Sequence, residues 1–205
     1  MDKEICDKCP IYNDGLVQIG VRHTVNGAPR YVVNDGRKKV LCLAEAFGEN
    51  EDLANQPLIG RAGKLLDKLL AESGLDRFSL KLDNVVKCRP IKQEGAKYKN
   101  RTPTPEEIEA CKPYFFRDTI TFEPDLIITL GRIPTISLFP DRDPSAIRGM
   151  AQELVVGEKK YVVLSTYHPS SCLYDPKNKP VLLKHLTNAA NYLTELEDRD
   201  KLNAR

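Results

Sequence analysis

Four of the six cysteines have the types and spacing to hold a metal. Cys6 and Cys9 form a Cys-x-x-Cys followed by Pro10, and Cys88 and Cys111 stand far from them and from each other. One close pair with two dispersed thiols suits zinc or an iron–sulfur cluster, since both accept four thiolates. The bland alternative makes Cys88 and Cys111 core residues and leaves only the N-terminal pair special. Cys42 lies inside an apolar run and reads as core, and Cys172, after His168-Pro169-Ser170-Ser171, reads as packing.

Three polar stretches carry the remaining chemistry. Glu45, Glu49, Glu51 and Asp52 crowd around Gly48, and Gln56 to Gly63 leads into a helix start suited to an anion. A solvated acidic loop is the competing explanation. Thr166-Tyr167-His168-Pro169-Ser170-Ser171 places a histidine just past an apolar run, where Pro169 suits a short helix whose free amides can take a phosphate. Lys87, Arg89, Lys92, Lys97, Lys99 and Arg101 form a basic loop opposed only by Glu94, with Tyr98 among them to stack on a base. A solvated flexible loop would have the same composition.

These residues need a scaffold, and the hydrophobic pattern supplies one. Val40 to Ala44, Leu82 to Val86, Leu126 to Leu130 and Tyr161 to Ser165 are short apolar runs of the kind buried on both faces of a sheet. Between them, Arg61 to Ser73 carries leucines at helical spacing up to Gly74. Thr104-Pro105-Glu106-Glu107 is a capping box with proline at the first helical position, opening a helix to about residue 122. Gly131 admits a helix through Phe139, and Lys179 to Leu196 closes the chain with another. The alternation predicts a mainly parallel four-stranded sheet covered by helices on both faces, in one domain over residues 1–205. The first 38 residues, residues 89–103 and residues 140–160 read as irregular. In such sheets ligands bind beyond the carboxyl ends of the strands, which is where the acidic stretch, Cys88 and His168 fall.

Composition narrows the function classes. Lys and Arg number 31 against 29 Asp and Glu, a net charge of +2, which excludes a broadly polycationic protein and points to a local anionic partner. No apolar run approaches the ~18 residues of a membrane span. Met1-Asp2-Lys3-Glu4 lacks the basic-then-apolar pattern of a leader, so a cytoplasmic location is expected.

Taken together and in order, Cys6-x-x-Cys9, AEAFGENED, GRAGKLL, NVVKCRP, NRTPTPEEIEACKPY, ITLGR, IRG and TYHPS resemble the iron–sulfur, or family 4, uracil-DNA glycosylases from Cys6 to about Leu196. The resemblance implies an α/β/α sandwich, a 4Fe–4S cluster on Cys6, Cys9, Cys88 and Cys111 that ties down the N-terminal segment, and hydrolysis of the glycosidic bond of a flipped-out uracil. It also implies single- or double-stranded uracil-containing DNA as the partner of a monomer. Asn84 matches the family's base-reading asparagine and His168 the histidine that donates to uracil O2. Glu45 and the Ala46 backbone match positions around the attacking water, and Glu51 a supporting acid. Arg61, Lys87, Arg89, Asn100, Arg101 and Ser170 fall on the DNA side, with Leu173 or Tyr174 filling the gap left by the base. The chain departs from the pattern at Phe47, where the family has proline, and at Leu58, where it has the phenylalanine that stacks on uracil. Phe47 is then the candidate replacement ring, and a pocket reshaped for another modified base is the alternative. A non-catalytic iron–sulfur DNA-binding module is the alternative from another class, disfavoured by the presence of both Asn84 and His168.

Overall fold

The computed structural model describes residues 3–32 and 38–204, so Met1 and Asp2, half of the stretch on which the leader reading rested, lie outside the described residues. In chain order the elements are α1 (Lys3–Cys6), β1 (Arg30–Val32), β2 (Lys39–Ala46), α2 (Glu49–Ala54), α3 (Arg61–Ser73), β3 (Ser79–Val86), β4 (Ile91–Glu94) and β5 (Lys97–Asn100). There follow α4 (Pro105–Phe122), β6 (Leu126–Leu130), α5 (Arg132–Leu138), β7 (Ala151–Val156), β8 (Lys159–Thr166), α6 (Pro169–Tyr174) and α7 (Asn178–Asn203).

The main sheet has six strands in the order β1-β3-β2-β6-β8-β7. Its four inner strands are parallel, as the apolar runs predict, and the expectation of four strands is corrected by an antiparallel strand at each edge. Those edges come from stretches read as irregular. β1 is only three residues long, and β7 faces solvent along most of its length, so neither carries the continuous apolar signature of a buried strand. The basic loop likewise contains a small antiparallel hairpin, β4–β5, almost wholly exposed and therefore without an inward-facing pattern to read.

The sheet's two faces build two cores. Val40, Cys42 and Ala44 of β2 pack with Leu66, Leu69 and Leu70 of α3 and Leu182 and Leu186 of α7. Leu41 and Leu43 point the other way, onto Ile108 and Phe115 of α4 and Ile133 of α5. This is the alternation of a strand buried on both sides, and it gives three layers. Strand β2 has β3 on one side and β6 on the other, so the chain reverses its direction of travel across the sheet there. A crevice opens beyond the carboxyl ends of β2 and β6 at such a switch point. No helix among the described residues is long and apolar enough to cross a membrane.

Candidate active site and cysteine pocket

A cavity of about 850 Å³, including the part open to solvent, lies in that crevice. Glu45, Ala46, Phe47 and Gly48 line it from the end of β2, Leu130, Gly131 and Arg132 from the end of β6, and His168 and Ser170 from beyond β8. Glu51, Leu58, Asn100 and Arg101 complete much of the wall.

His168 is the N-cap of α6: the Ser170 amide donates to its Nδ1 at 3.1 Å, and the Ser170 hydroxyl lies 2.6 Å from the same atom. A nitrogen that accepts an amide proton carries none of its own, so the ring proton of the neutral form sits on Nε2. Burial pushes the imidazole pKa down to about 4, against a smaller upward pull from Glu51. The ring is therefore a neutral N–H donor at physiological pH. Gly131, at φ 97°, lets the β6 end approach it, since a Cβ there would stand 2.9 Å from the His168 Cβ.

Asn84 is 1% exposed and stands beside Ala44 in the β2–β3 register. Its Nδ2 has no hydrogen-bond partner among the described residues. A buried amide donor left unpaired costs about 1–3 kcal/mol, so this group awaits an acceptor. Its own backbone amide donates to the Asp83 carboxylate at 2.8 Å, on the edge where β1 has already ended. Asn84 does not itself line the open cavity, although Ala46, two residues beyond its register partner, does.

Burial raises the Glu45 carboxyl above the ordinary carboxylate range. Glu51 has a different task. Its Oε1 accepts from the Ile59 and Gly60 amides at 3.1 and 2.7 Å, which fastens the turn before α3 and puts a carboxylate at that helix's N-terminus. Leu58, one residue earlier, is held at φ 55°, in the left-handed region, and is almost fully buried. Phe47 is buried against the 21–27 segment: a side chain on Gly27 would come within 2.2 Å of its ring. Both Phe47 and Leu58 reach the cavity wall.

The basic loop departs most from expectation. Lys87 is 3% exposed and bonded to Asp83 and Asp118 at 2.5 and 3.2 Å, in a buried cluster with Lys81. Arg89 is almost as buried, donating to Asn100 and pairing with Glu49. Arg101 grips Glu107 with both terminal nitrogens, at 2.8 and 2.5 Å, while Lys92 and Lys99 share Glu94. The sequence places Lys87 and Arg89 on the DNA side; in the structure Asp83, four residues away, and Asp118 pair with Lys87, and Glu49 with Arg89. Arg61 remains exposed at the start of α3, and Leu173 and Tyr174 are 41% and 89% exposed on α6 beside His168.

Three residues act in ways that sequence patterns do not announce. Arg22 is buried, donates to the Ile11 and Arg89 carbonyls and forks onto Asp14. Asp52 accepts from the His23 and Thr24 amides, binding the same segment to α2. Arg132 lines the cavity from a strand end, Gly131-Arg132, that the sequence marks only by its position.

Cys6, Cys9, Cys88 and Cys111 are each 5% exposed and border one small pocket with Tyr12, Asn26 and Tyr114; none forms a disulfide. Among the described residues no group of three or more ligating side chains converges tightly enough for a single metal ion. A polynuclear cluster asks for thiolates spread around a space, and four thiols around a pocket fit that better than one ion. A hydrogen bond from Cys111 brings the Cys9 thiol down to about 6, and the Asn26 amide donates to the Cys88 sulfur at 3.3 Å. Burial nevertheless pushes the Cys88 thiol up to about 11, and the bond to Cys9 with burial pushes Cys111 up, so Cys9 is the one poised as a thiolate, the form a metal binds. Cys42 and Cys172 are buried in the α3–α7 core, away from this pocket.

Fold and site together define a three-layer α/β protein with a ligand cavity at the switch point of its sheet and a separate pocket bordered by four cysteines. The family model described as the uracil DNA glycosylase superfamily matches residues 31–194, and the chain belongs to that superfamily. It is similar to the type-4 uracil-DNA glycosylase of Archaeoglobus fulgidus, 38% identical over 154 residues that cover 72% of this chain and 74% of that protein. Those of Sulfurisphaera tokodaii and Thermotoga maritima are 37% and 36% identical, covering 71% and 79% of this chain and 66% and 82% of theirs.

Proposed function

We propose that this protein excises uracil from DNA, hydrolysing the bond between N1 of the base and C1′ of the sugar and leaving an abasic site. The observation that carries the proposal is the pairing of a neutral imidazole whose proton is on Nε2 with a buried amide whose Nδ2 lacks an acceptor, at one end of one sheet. Its relatives' names point to the same activity.

A stacked base is out of reach of any such cavity, so the nucleotide must leave the duplex. Uracil presents an acceptor at O4 and a donor at N3. The Asn84 amide satisfies both, Nδ2 donating to O4 and Oδ1 accepting from N3. As the C1′–N1 bond breaks, its electron pair moves onto the base and accumulates on O2, while the sugar becomes oxocarbenium-like. His168 Nε2–H donates to that O2 and stabilises the anion without transferring its proton. Glu45, when ionised, accepts a hydrogen bond from the water that adds to C1′ and offsets the sugar's positive charge. Ala46 closes the same corner with no carboxylate of its own. Arg61 and the Ser170 region meet the DNA backbone, and Leu173 or Tyr174 occupies the vacated stack. Asn100 and Arg101 shape the rim, Arg101 through its grip on Glu107.

In this reading Cys6, Cys9, Cys88 and Cys111 hold a 4Fe–4S cluster. Such a group cross-links four distant points of the chain when bound, and here it would fasten the N-terminal segment to β3 and α4. The protein acts as one domain and as a monomer.

The test is incubation with oligonucleotides carrying one uracil, single- and double-stranded, followed by alkali. Free uracil and strand breakage at that position alone are expected, together with iron and acid-labile sulfide in comparable amounts. Tight binding without release would favour a DNA-binding module, and release of another base a shifted specificity.

Two further outcomes are expected. Protonated Glu45 cannot accept from water, so the rate falls as pH falls, beginning above the ordinary carboxylate range because burial raises this group. A pH profile of kcat/KM should lose that limb in Glu45→Gln. Aromatic stacking on a base is worth about 1–3 kcal/mol, so Phe47→Leu should lower kcat/KM by roughly tenfold or more, with Leu58→Ala milder. The opposite ranking would reject Phe47 as the stacking ring.

A further inference from the structure

Of the two arginines lining the cavity, Arg101 is held on both terminal nitrogens by Glu107. Arg132 has no hydrogen-bond or ion-pair partner among the described residues and is exposed. It is the first residue of α5, directly after Gly131 at the end of β6, so backbone pairing with β8 and the Gly131–Thr166 bond fix where its side chain begins. The carboxylates that share the cavity do not claim it: among the described residues Glu51 Oε1 is committed to the Ile59 and Gly60 amides, and the half-buried Glu45 pairs with no cation. An unpaired guanidinium at the open end of a polar cavity suits an anion with two accessible oxygens.

A flipped nucleotide enters base first. Its anionic parts, the phosphodiesters on either side of the sugar, stay at the mouth. We propose that Arg132 grips one of these phosphodiesters, a contact that rests on the glycosylase reading and lies outside the basic loop; the ITLGR motif contains this arginine without giving it a role. The β4–β5 loop has the higher density of cations, but Lys87, Arg89 and Arg101 are taken by Asp83, Glu49 and Glu107. Within the cavity wall itself, Arg132 on the β6 side therefore supplies the unpaired charge that Arg101 does not.

The contact acts on binding of substrate and transition state alike. Arg132→Ala should raise KM about tenfold or more, the size of a charge-assisted hydrogen bond, with kcat changed little. The slope of log affinity against log salt should fall by about one, because one fewer counterion is released. Arg132→Lys should restore the slope and only part of the affinity, since an ammonium keeps the charge and loses the two-pronged geometry. The measurement is fluorescence anisotropy of wild type and both variants on a duplex with a stable abasic-site analogue, across a salt series, alongside steady-state excision. An unchanged salt slope in Arg132→Ala would overturn the proposal, as would a loss confined to kcat. Wild type that binds this duplex without releasing uracil would sink the glycosylase reading while the slope comparison still decides Arg132. Wild type that does not bind DNA would overturn both.

Discussion

Asn84→Leu lowers uracil release by about 10⁴-fold in single-turnover assays, with the protein still folded. Leucine has nearly the volume of asparagine and removes both the Nδ2 donor and the Oδ1 acceptor at a position that is 1% exposed. Uracil O4 and N3 would then be stripped of water with nothing in exchange, which is why sites built on hydrogen bonds reject mismatched partners so strongly. Because the Nδ2 atom has no partner in the free protein, the leucine variant forfeits no internal hydrogen bond from it. Thermal unfolding should therefore shift little, or even upward. Asn84→Asp is the diagnostic companion. A carboxylate repels O4, whereas a protonated acid donates to it, so this variant's activity relative to wild type should rise as pH falls. Activity within tenfold of wild type for Asn84→Leu would remove Asn84 from the role of base reader.

His168→Ala lowers kcat by about 10²–10³-fold with KM little changed, the usual cost of deleting one donor to a developing oxyanion. The histidine also caps α6, so the alanine variant loses stability as well, about 1 kcal/mol for an N-cap of this kind. His168→Asn separates the two effects. Asparagine is a favoured N-cap and can accept from the Ser170 amide, but its amide is too short to present a donor where Nε2 stood. Restored melting temperature with kcat still depressed is the expected result. If asparagine restored kcat as well, His168 would be acting only as a cap.

Much of this was legible from residue patterns, and the parts that were not share a cause. The four apolar runs mark parallel inner strands because burial on both faces demands continuous hydrophobicity. Edge strands β1 and β7 have one face in solvent and need no such run. The Thr104 capping box is recognisable because its partners are three residues apart. Glu51 lines the cavity as expected of an acid there, but its Oε1 is also occupied by two amides eight and nine residues along, which no local pattern announces.

By itself the sequence determined the α/β class, the positions of the strand ends and the residue types collected there, because periodicity and capping act over a few residues. Tertiary structure decided which of those residues are free to act. Lys87 is claimed by Asp118, 31 positions away, and Arg89 by Glu49, whereas Arg132 and the Asn84 amide are left without partners among the described residues. Charge pairing and desolvation depend on distance in space, and chain position does not encode them. The His168 proton on Nε2, by contrast, is a local matter: the Ser170 amide, two residues along in the capped turn, takes Nδ1.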